Sequence, residues 1–354
     1  MDKPSGRLPY NPSIEHLRLL FAILVVFIHT YGHGLLPGEE LVRGSLVMDV
    51  QFFFSHILSA IAVPGFFLIS GYLYFVNMER WSWGKYVDKT RQRALTLLMP
   101  YVVWNTLKLI TLTLPAWINE GGQGVANVIE TFGGWRLMWD GNPHYPAPVL
   151  LATWFLRDLM VFCLMAPLIH PLVRRGGFFP FLLLMACDLF GWWPTGQVCS
   201  AHHLAFFVLG TTFSIQGKEM FDSFSKCRII SYIAGALSLV VVTCEQSTAT
   251  MLCYLLFGTV AVCNLISRSQ MSIECLINPR FTQASMFIYL GHSLLLLSAV
   301  AWGLGHLLPF GGEGWTLVRY FLIPPLTIAI LLVLFRLLRT RFPRILFFLL
   351  GRKY

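Results

Sequence analysis

The sequence predicts an all-α fold, a polytopic integral membrane bundle of about ten transmembrane helices. First, 56% of the 354 residues are hydrophobic, 12% are charged and the mean hydropathy is +0.65, whereas soluble domains carry about 25% charged residues. Second, the apolar residues form runs close to the roughly 20 residues that a helix needs to cross a hydrocarbon core of about 30 Å. A water-soluble domain of this length has no interior large enough to bury so much apolar surface.

The predicted spans can be read off the chain in order. They are residues 17–36, 50–76, 94–116, 148–170, 178–193, 201–216, 229–244, 249–267, 285–304 and 317–338. Lysine and arginine are concentrated in the connections on one side, in segments 1–18, 80–93, 174–175, 218–228, 268–280 and 336–353. The other side has Arg43, Arg136 and Arg319. Because basic connections stay in the cytoplasm, we expect both termini to be cytoplasmic.

The first span carries an arginine near one end and two histidines near the other, in IEHLRLLFAILVVFIHTYGHG (14–34). With a rise of 1.5 Å per residue, His29 lies about 16 Å along the helix axis from Arg18. Arg18 is therefore expected at one membrane face and His29 near mid-depth, with His33 on the same helix face as His29. An ionisable group at that depth normally faces a polar cavity or a partner on another helix. Both a functional His29 and a histidine bonded within the core fit this pattern.

Further polar side chains fall inside or at the ends of predicted spans. They are Lys108, Arg157, Asp158, Asp188, His202, His203 and His292. A membrane interior tolerates such groups when they are paired or hydrated. Arg157 and Asp158 are adjacent, so a structural ion pair is the simpler interpretation of these two. The set as a whole predicts a polar cavity inside the bundle.

A basic cluster of Lys89, Arg91 and Arg93 precedes the third span. The positive end of the helix dipole lies at the same place, which favours a phosphorylated ligand. Anchoring by the positive-inside rule explains the same residues equally well. Two functions fit the cavity and the cluster together: a proton-coupled transport path, or a site where a cytoplasmic phosphorylated donor meets an acceptor from across the bilayer.

The charge distribution and the cysteine spacing argue against other classes of protein. The net charge of +9 is spread over the connections and does not form the basic face of a nucleic-acid-binding protein. The eight cysteines show no CxxC spacing, so we expect neither zinc nor a disulfide framework.

Connection 117–147 is expected to be a long outer loop that either faces a sugar or anchors at the headgroups. The tail RTRFPRILFFLLGRKY is typical of an amphipathic helix on the membrane surface, and residues 1–354 are expected to form one domain.

Five short motifs follow one another along the chain. They are Arg18 and His29 separated by ten residues; Phe66, Phe67, Ser70 and Gly71; Arg91, Arg93 and Pro100; WFLRDL at Trp154 to Leu159; and Ser285, Tyr289 and His292 in SMFIYLGHSLLL. This ordered set resembles the membrane-bound acyltransferase-3 family, whose bacterial members O-acetylate cell-surface polysaccharides. One position departs from the family pattern: Leu19 stands where a glycine usually follows the arginine.

The resemblance implies an O-acetyltransferase of the bacterial inner membrane that uses cytoplasmic acetyl-CoA and no metal. Its acceptor would be a hydroxyl of a lipid-linked or nascent surface glycan, such as O-antigen or common antigen. The implied catalytic residues are His29, as base or acyl carrier, and Arg18. The implied ligands of the CoA phosphates are Lys89, Arg91 and Arg93, and the implied substrate-binding residues are His33, Arg157, Asp158, Tyr289 and His292. The rival prediction is a proton-coupled transporter or flippase in which the histidines relay protons.

Overall fold

The computed structural model describes residues 11–76, 78, 80–141, 147–194, 198–269 and 279–352, which contain helices and turns and no β-strand. The helices are α1 (Ser13–Ile28), α2 (Leu46–Phe75), α3 (Trp83–Arg93), α4 (Met99–Thr131), α5 (Trp154–Leu164), α6 (Ala166–Gly176), α7 (Phe179–Leu189), α8 (Ala201–Ile215), α9 (Met220–Ser225), α10 (Arg228–Cys244), α11 (Thr248–Arg268), α12 (Pro279–Thr282), α13 (Ser285–Leu307), α14 (Glu313–Arg341) and α15 (Pro343–Leu350). The all-α prediction is confirmed for this part of the chain. Residues 1–10, 270–278 and 353–354 of the basic segments and 142–146 of the predicted outer loop lie outside it.

Five helical segments of the described chain are long and apolar enough to cross a membrane: α2, the continuous segment Trp83–Thr131, α11, α13 and α14. A sixth span results if α5 and α6, which meet at a bend of 68°, are counted as one. These helices make the protein a multi-pass membrane protein. Helix α1 has 16 residues and α7, α8 and α10 have 11, 15 and 17, fewer than the roughly 20 that a full crossing needs. Ten spans and cytoplasmic termini therefore stay predictions.

Helix α1 lies in the centre of the bundle, where it contacts α2, α11, α13 and α14. One face of α1 is fully buried at Leu17, Phe21 and Val25, which follow one another at the four-residue spacing of a helix face. At the start of α1, the backbone N–H of Ser13 donates to Asn11 Oδ1 over 3.0 Å, which satisfies one of the free N–H groups of the first turn. The packing fixes both ends of the helix that carries the predicted catalytic residues.

Helices α2 and α8 cross with their backbones in contact. A Cβ atom added to Gly71 would overlap the carbonyl oxygen of Phe207, and one added to Gly210 would overlap the carbonyl oxygen of Leu68. Such an approach is possible only where both helices present glycine at the crossing. The Oγ of Ser214 also donates to the carbonyl oxygen of Tyr72 over 2.5 Å. The second family-like motif thus contributes a glycine to helix packing.

Three π-helical turns interrupt the long helices, at Phe53–Ile57 in α2, Ala94–Leu98 before α4 and His292–Leu296 in α13. A π-turn inserts one residue and is frequent at functional sites. The last turn frees a carbonyl group at Leu294, which accepts a hydrogen bond from Lys108 Nζ over 3.0 Å. Lys108, predicted only as a polar group inside a span, therefore supports the turn that carries His292.

The connection predicted at 117–147 is helical in its first half. Segment α4 continues to Thr131 as two helical parts that meet in a kink at Gly121, whose φ of 63° and ψ of −145° are non-helical values that glycine adopts readily. The glycine-rich composition was therefore a wrong indication of a loop for residues 117–131, because the chain is helical again after Gly121. Beyond α4, the hydrogen bonds that Arg136 donates to Asp140 lower the pKa of that carboxyl group.

The C-terminal tail forms the predicted amphipathic helix, α15, but one face of it packs on the bundle. Leu346 and Leu350 are each 1% exposed, whereas Ile345 and Phe348 on the other face are about half exposed. The indole Nε1 of Trp104 donates to the carbonyl oxygen of Leu349 over 2.8 Å. The tail therefore belongs to the folded domain.

Candidate active site

Two imidazole rings from distant parts of the sequence meet inside the bundle. His29 caps the C-terminal end of α1, and His292 opens the π-turn of α13. Their ring centroids are 5.0 Å apart. His292 is fully buried, and its Nδ1 lies 3.1 Å from the carbonyl oxygen of Ile288. Its Nε2 has no hydrogen-bond partner among the described residues, a costly arrangement that is typical of a position kept for function.

The backbone around His29 is held by side chains of α2 and α14. The Oγ of Ser55 donates to the carbonyl oxygen two residues before His29 over 2.6 Å, and the hydroxyl of Tyr320 lies 2.8 Å from that Oγ. Gln51, fully buried, donates from Nε2 to the carbonyl oxygen of His33 over 3.1 Å. These bonds satisfy carbonyl groups that the end of a helix leaves free. His29, itself partly buried, is thereby fixed opposite His292.

His56 is a site residue that the sequence analysis missed. It lies in the π-turn of α2, and its ring packs 4.5 Å from the ring of Tyr31. Tyr31 follows His29 by two residues, so His56 lies beside the end of α1 that carries His29. His56 falls inside the predicted second span, so the rule applied to the other intramembrane ionisable groups also identifies it.

A cavity of about 330 Å³, hereafter the basic cavity, opens at the Arg18 end of α1. Its lining residues are Arg18, Phe66, Ser70, Gln92, Arg93, Thr96, Leu97, Phe155, Leu159, Ser285, Met286, Tyr289, Leu350 and Arg352. Three of these carry a guanidinium group, and none of the described lining residues is acidic. Arg18 also donates to Glu15 Oε1 over 3.1 Å, as an i,i+3 pair on one helix face. The cavity thus offers anion-binding groups beside an apolar wall.

The basic cavity reaches the histidine pair through Tyr289. The ring centroid of Tyr289 lies 6.4 Å from that of His292. The ring centroids of Phe66 and Phe155, which also line the cavity, lie 5.8 and 5.7 Å from that of Tyr289. The hydroxyl of Tyr289 donates to the carbonyl oxygen of Ala152. One aromatic side chain therefore separates the cavity from the imidazoles.

A larger cavity of about 650 Å³, hereafter the His33 cavity, lies beyond the other end of α1. Its lining residues are Gly32, His33, Gly34, Leu35, Leu36, Pro37, Ala301, Trp302, Gly305, His306 and Pro309. Trp302 is 69% exposed, and its ring centroid lies 4.1 Å from that of His306. Exposed aromatic rings next to polar groups suit a ligand that has both an apolar and a hydroxylated face. The two cavities flank the His29–His292 pair from opposite ends of α1.

The three basic residues before α4 have different surroundings. Arg93 lines the basic cavity together with Arg18. Lys89 Nζ donates to the carbonyl oxygens of Tyr74 and, over 3.0 Å, of Val76, so it binds the C-terminal end of α2. Arg91 is exposed and does not line the cavity. The structure therefore brings one of the three predicted phosphate ligands to this cavity.

Arg157 and Asp158 form the ion pair that their adjacency predicts, and neither of them lines either cavity. Both are fully buried, with Arg157 Nε donating to Asp158 Oδ1 over 2.9 Å. Arg157 also donates to the carbonyl oxygen of Trp139 over 2.6 Å, and Asp158 Oδ2 accepts from the backbone N–H of Cys199 over 3.0 Å. Burial and the nearby Asp158 raise the pKa of the Cys199 thiol to about 12. The pair joins two connecting segments to α5.

Arg319 holds the wall of the His33 cavity in a similar way. It is fully buried and donates to the carbonyl oxygens of Gly34 over 2.6 Å, Leu308 over 3.0 Å and Phe310 over 2.6 Å. Its Nη2 lies 3.6 Å from Glu39 Oε2. Gly34 has a φ of 91°, at a point where a Cβ would crowd the backbone of α14, so only glycine fits there. Arg319, expected only at a span edge, therefore holds the backbone at Gly34 and the backbone at Leu308 and Phe310 together at this end of the bundle.

The residues of the second family-like motif divide between the cavity and the core. Phe66 and Ser70 line the basic cavity, whereas Phe67 is fully buried and Gly71 forms the close crossing with α8. Positions i and i+4 share one helix face, so Phe66 and Ser70 reach the same cavity, while the neighbouring positions turn toward α8.

The comparisons with known proteins can now be set beside this geometry. The family described as Acyltransferase domain matches residues 11–338. The succinoglycan biosynthesis protein ExoH of Rhizobium meliloti (strain 1021) is 27% identical over 360 residues, which cover 96% of this chain and 92% of that protein. No solved structure gives a significant match. These matches favour the enzyme over the transporter or flippase. The chain therefore belongs to the acyltransferase-3 family and is an acyltransferase.

Proposed function

We propose that this protein O-acetylates a cell-surface polysaccharide or its lipid-linked precursor, with acetyl-CoA as the donor. The observation that carries the proposal is the position of the basic cavity next to the histidine pair, from which the ring of Tyr289 separates it. Guanidinium groups line the mouth, Tyr289 lies at the inner end, and the rings of His292 and His29 follow within 6.4 and 5.0 Å. The relative ExoH, described as a succinoglycan biosynthesis protein, supports a polysaccharide as the acceptor.

The donor side of the proposal rests on Arg18 and Arg93. Planar guanidinium groups bind phosphate oxygens with paired, charge-assisted hydrogen bonds, and CoA carries several phosphates. His29 lies about 16 Å along α1 from Arg18. The pantetheine arm of CoA is a slender chain of comparable length, so the phosphates can stay at the mouth while the thioester reaches the histidines. The basic end faces the cytoplasm in this proposal, as the distribution of lysine and arginine predicts, and the membrane is the bacterial inner membrane.

His29 acts as the general base in the proposed reaction. Its imidazole takes the proton of the sugar hydroxyl, the hydroxyl oxygen forms a bond to the acetyl carbonyl carbon, and the carbon–sulfur bond breaks. CoA leaves as a thiolate, which accepts the proton from the imidazolium. General base catalysis of this kind contributes roughly 10²–10⁴ in rate. His292 packs against His29 and fixes its ring orientation.

The acceptor sugar occupies the His33 cavity. Trp302 and His306 present adjoining rings against which a sugar ring packs. His33 adds a polar group, not from the predicted helix face but from the turn that follows the end of α1. The acceptor hydroxyl then approaches His29 from the side opposite to the donor. The two substrates meet at the histidine pair without sharing an entrance.

The decisive experiment is acetyl transfer by the purified protein in liposomes. Labelled acetyl-CoA is supplied on the side of the basic end and the glycan acceptor on the other, and the glycan is analysed by mass spectrometry. We expect His29→Gln, which keeps a polar side chain but cannot take a proton, to lower transfer by roughly 10²–10⁴. Retention of near-normal transfer by this variant would contradict the assignment.

The matched control is His202→Gln, the same change at a histidine that lines neither cavity and bonds Asp188 over 3.2 Å. Its transfer rate should stay within about threefold of the wild type at equal protein level, since its loss removes a part-exposed pair. Mass spectrometry of the wild-type protein during turnover also tests the other role that is open to His29. An acetyl group found on His29 would replace the general-base step with a covalent carrier step.

A further inference from the structure

The C-terminal segment contributes to the wall of the basic cavity, although it lies beyond the part of the chain that matches the family. The match ends at residue 338. Leu350 and Arg352, which follow it, nevertheless line the cavity together with Arg18 and Arg93. The residues that complete this wall therefore lie outside the part of the chain that matches the family.

The segment is built into the fold and held in one place. Leu346 and Leu350 are each 1% exposed, and Trp104 Nε1 donates to the carbonyl oxygen of Leu349 over 2.8 Å. Gly351 has a φ of 67°, and a Cβ at this position would overlap the carbonyl oxygen of Leu95 in the π-turn before α4. Only glycine lets the chain turn there, and that turn brings the next residue, Arg352, to the cavity.

The guanidinium group of Arg352 has a defined position. Its Nη2 donates to the carbonyl oxygen of Gln283 over 3.3 Å, while the side-chain oxygen of Gln283 accepts from Arg339 over 2.6 Å. Arg352 is partly exposed and lines the cavity that Arg18 and Arg93 also line. Arg18 is paired with Glu15 over 3.1 Å, whereas Arg93 and Arg352 add further positive charge to a cavity wall that has no acidic lining residue in the described chain. An anion of more than one charge interacts favourably with such a wall.

We propose that the C-terminal segment is part of the donor site and that Arg352 binds a phosphate of the donor nucleotide. The inference rests on the proposed function, since it takes CoA as the donor. The proposal gives the donor phosphates a third guanidinium ligand, and it explains why glycine stands at position 351, directly before Arg352. A phosphorylated carrier with several charges fits such a site, and an uncharged acyl thioester does not.

The test is direct binding of CoA to the full-length protein in lipid nanodiscs, measured by equilibrium dialysis. Pantetheine, which has no phosphate, is the second probe. We expect Arg352→Ala to weaken CoA binding about tenfold, since it removes one charge-assisted contact, and to leave the weaker binding of pantetheine unchanged. Arg352→Lys should recover part of the loss, because lysine keeps the charge without the planar fork.

The matched control is Arg344→Ala, the same change at an exposed arginine of α15, which should leave CoA binding within about twofold. Gly351→Ala supplies an independent variant, because it displaces Arg352 while keeping its charge, and it should weaken CoA binding as Arg352→Ala does. Equal CoA binding by the wild type and Arg352→Ala would overturn the role of the segment and leave the proposed function intact. No CoA binding by the wild type would overturn both.

Discussion

Four of the described arginines form two groups that differ in what their guanidinium groups contact. Arg157 and Arg319 are fully buried and donate to backbone carbonyl oxygens, and each has one carboxylate nearby, that of Asp158 at 2.9 Å and that of Glu39 at 3.6 Å. Arg18 and Arg93 are partly exposed at the mouth of a cavity. A guanidinium group whose donors are already used by the backbone has a structural role, whereas one that lines an open cavity can bind an incoming anion. Burial of a charge is thus a poor guide to catalysis in this bundle.

The largest effect should come from a buried member of the first group. Replacing Arg319 with methionine leaves the carbonyl oxygens of Gly34, Leu308 and Phe310 without their donor and Glu39 without its partner. We expect a loss of roughly 3–5 kcal/mol in the free energy of unfolding, which is typical of a broken buried pair. Thermal unfolding in detergent and the folded fraction on size-exclusion chromatography measure it.

The control for that change is Arg136→Met, which removes an exposed arginine paired with Asp140. It should shift the unfolding temperature much less than Arg319→Met, since exposed pairs contribute little. Equal shifts for both variants would remove the distinction between the two groups.

A smaller effect is expected from the cavity arginines, and it should appear in kinetics. Arg93→Ala should raise the KM for acetyl-CoA about tenfold and leave the KM for the acceptor within twofold, because one phosphate contact is lost. Arg91→Ala should change neither KM beyond twofold, since Arg91 does not line the cavity. Steady-state transfer at varied donor and acceptor concentrations gives both constants. A larger effect from Arg91 than from Arg93 would show that the phosphates bind outside this cavity.

The smallest effect should come from Lys89, which belongs to the basic cluster but contacts carbonyl oxygens at the end of α2. Lys89→Met should lower the free energy of unfolding by about 1 kcal/mol, through the lost interaction with that helix end. The KM for acetyl-CoA should not change by more than about twofold. A tenfold rise in that KM with unchanged stability would move Lys89 into the group that binds the donor.

The spacing of Arg18 and His29 on one helix could be predicted from the sequence, because both the rise per residue and the cost of a membrane histidine are local properties. The partner of His29 could not be predicted in the same way. His292 meets His29 only because α1 and α13 pack together and a π-turn reorients the ring. A π-turn depends on how one helix fits its neighbours, and the residue pattern has no clear mark of it.

The connection around Gly121 and the C-terminal tail also could be predicted only in part from the sequence. The glycines near residue 121 predicted a loop, yet residues on both sides are helical, because the non-helical Gly121 makes a single kink between two helical parts. The tail has the composition of a membrane-surface helix, and its amphipathic character was predicted. Its apolar face packs on α4 instead of lipid, because Trp104 and the π-turn before α4 leave a place for it. Arg352 was accordingly absent from the predicted site.

The crossing of α2 and α8 also limits how the enzyme can move. Gly71 and Gly210 allow the two backbones to touch, so a slide of one residue, about 1.5 Å, would bring a side chain against the opposing carbonyl groups. We therefore expect α2 and α8 to move together as one rigid unit. A mechanism that opens the protein inward and outward in turn cannot do so by sliding these two helices past each other. In the proposed reaction, the acyl group crosses on the flexible arm of the donor itself. Turnover should therefore depend on the length of that arm more steeply than on the fluidity of the surrounding lipid.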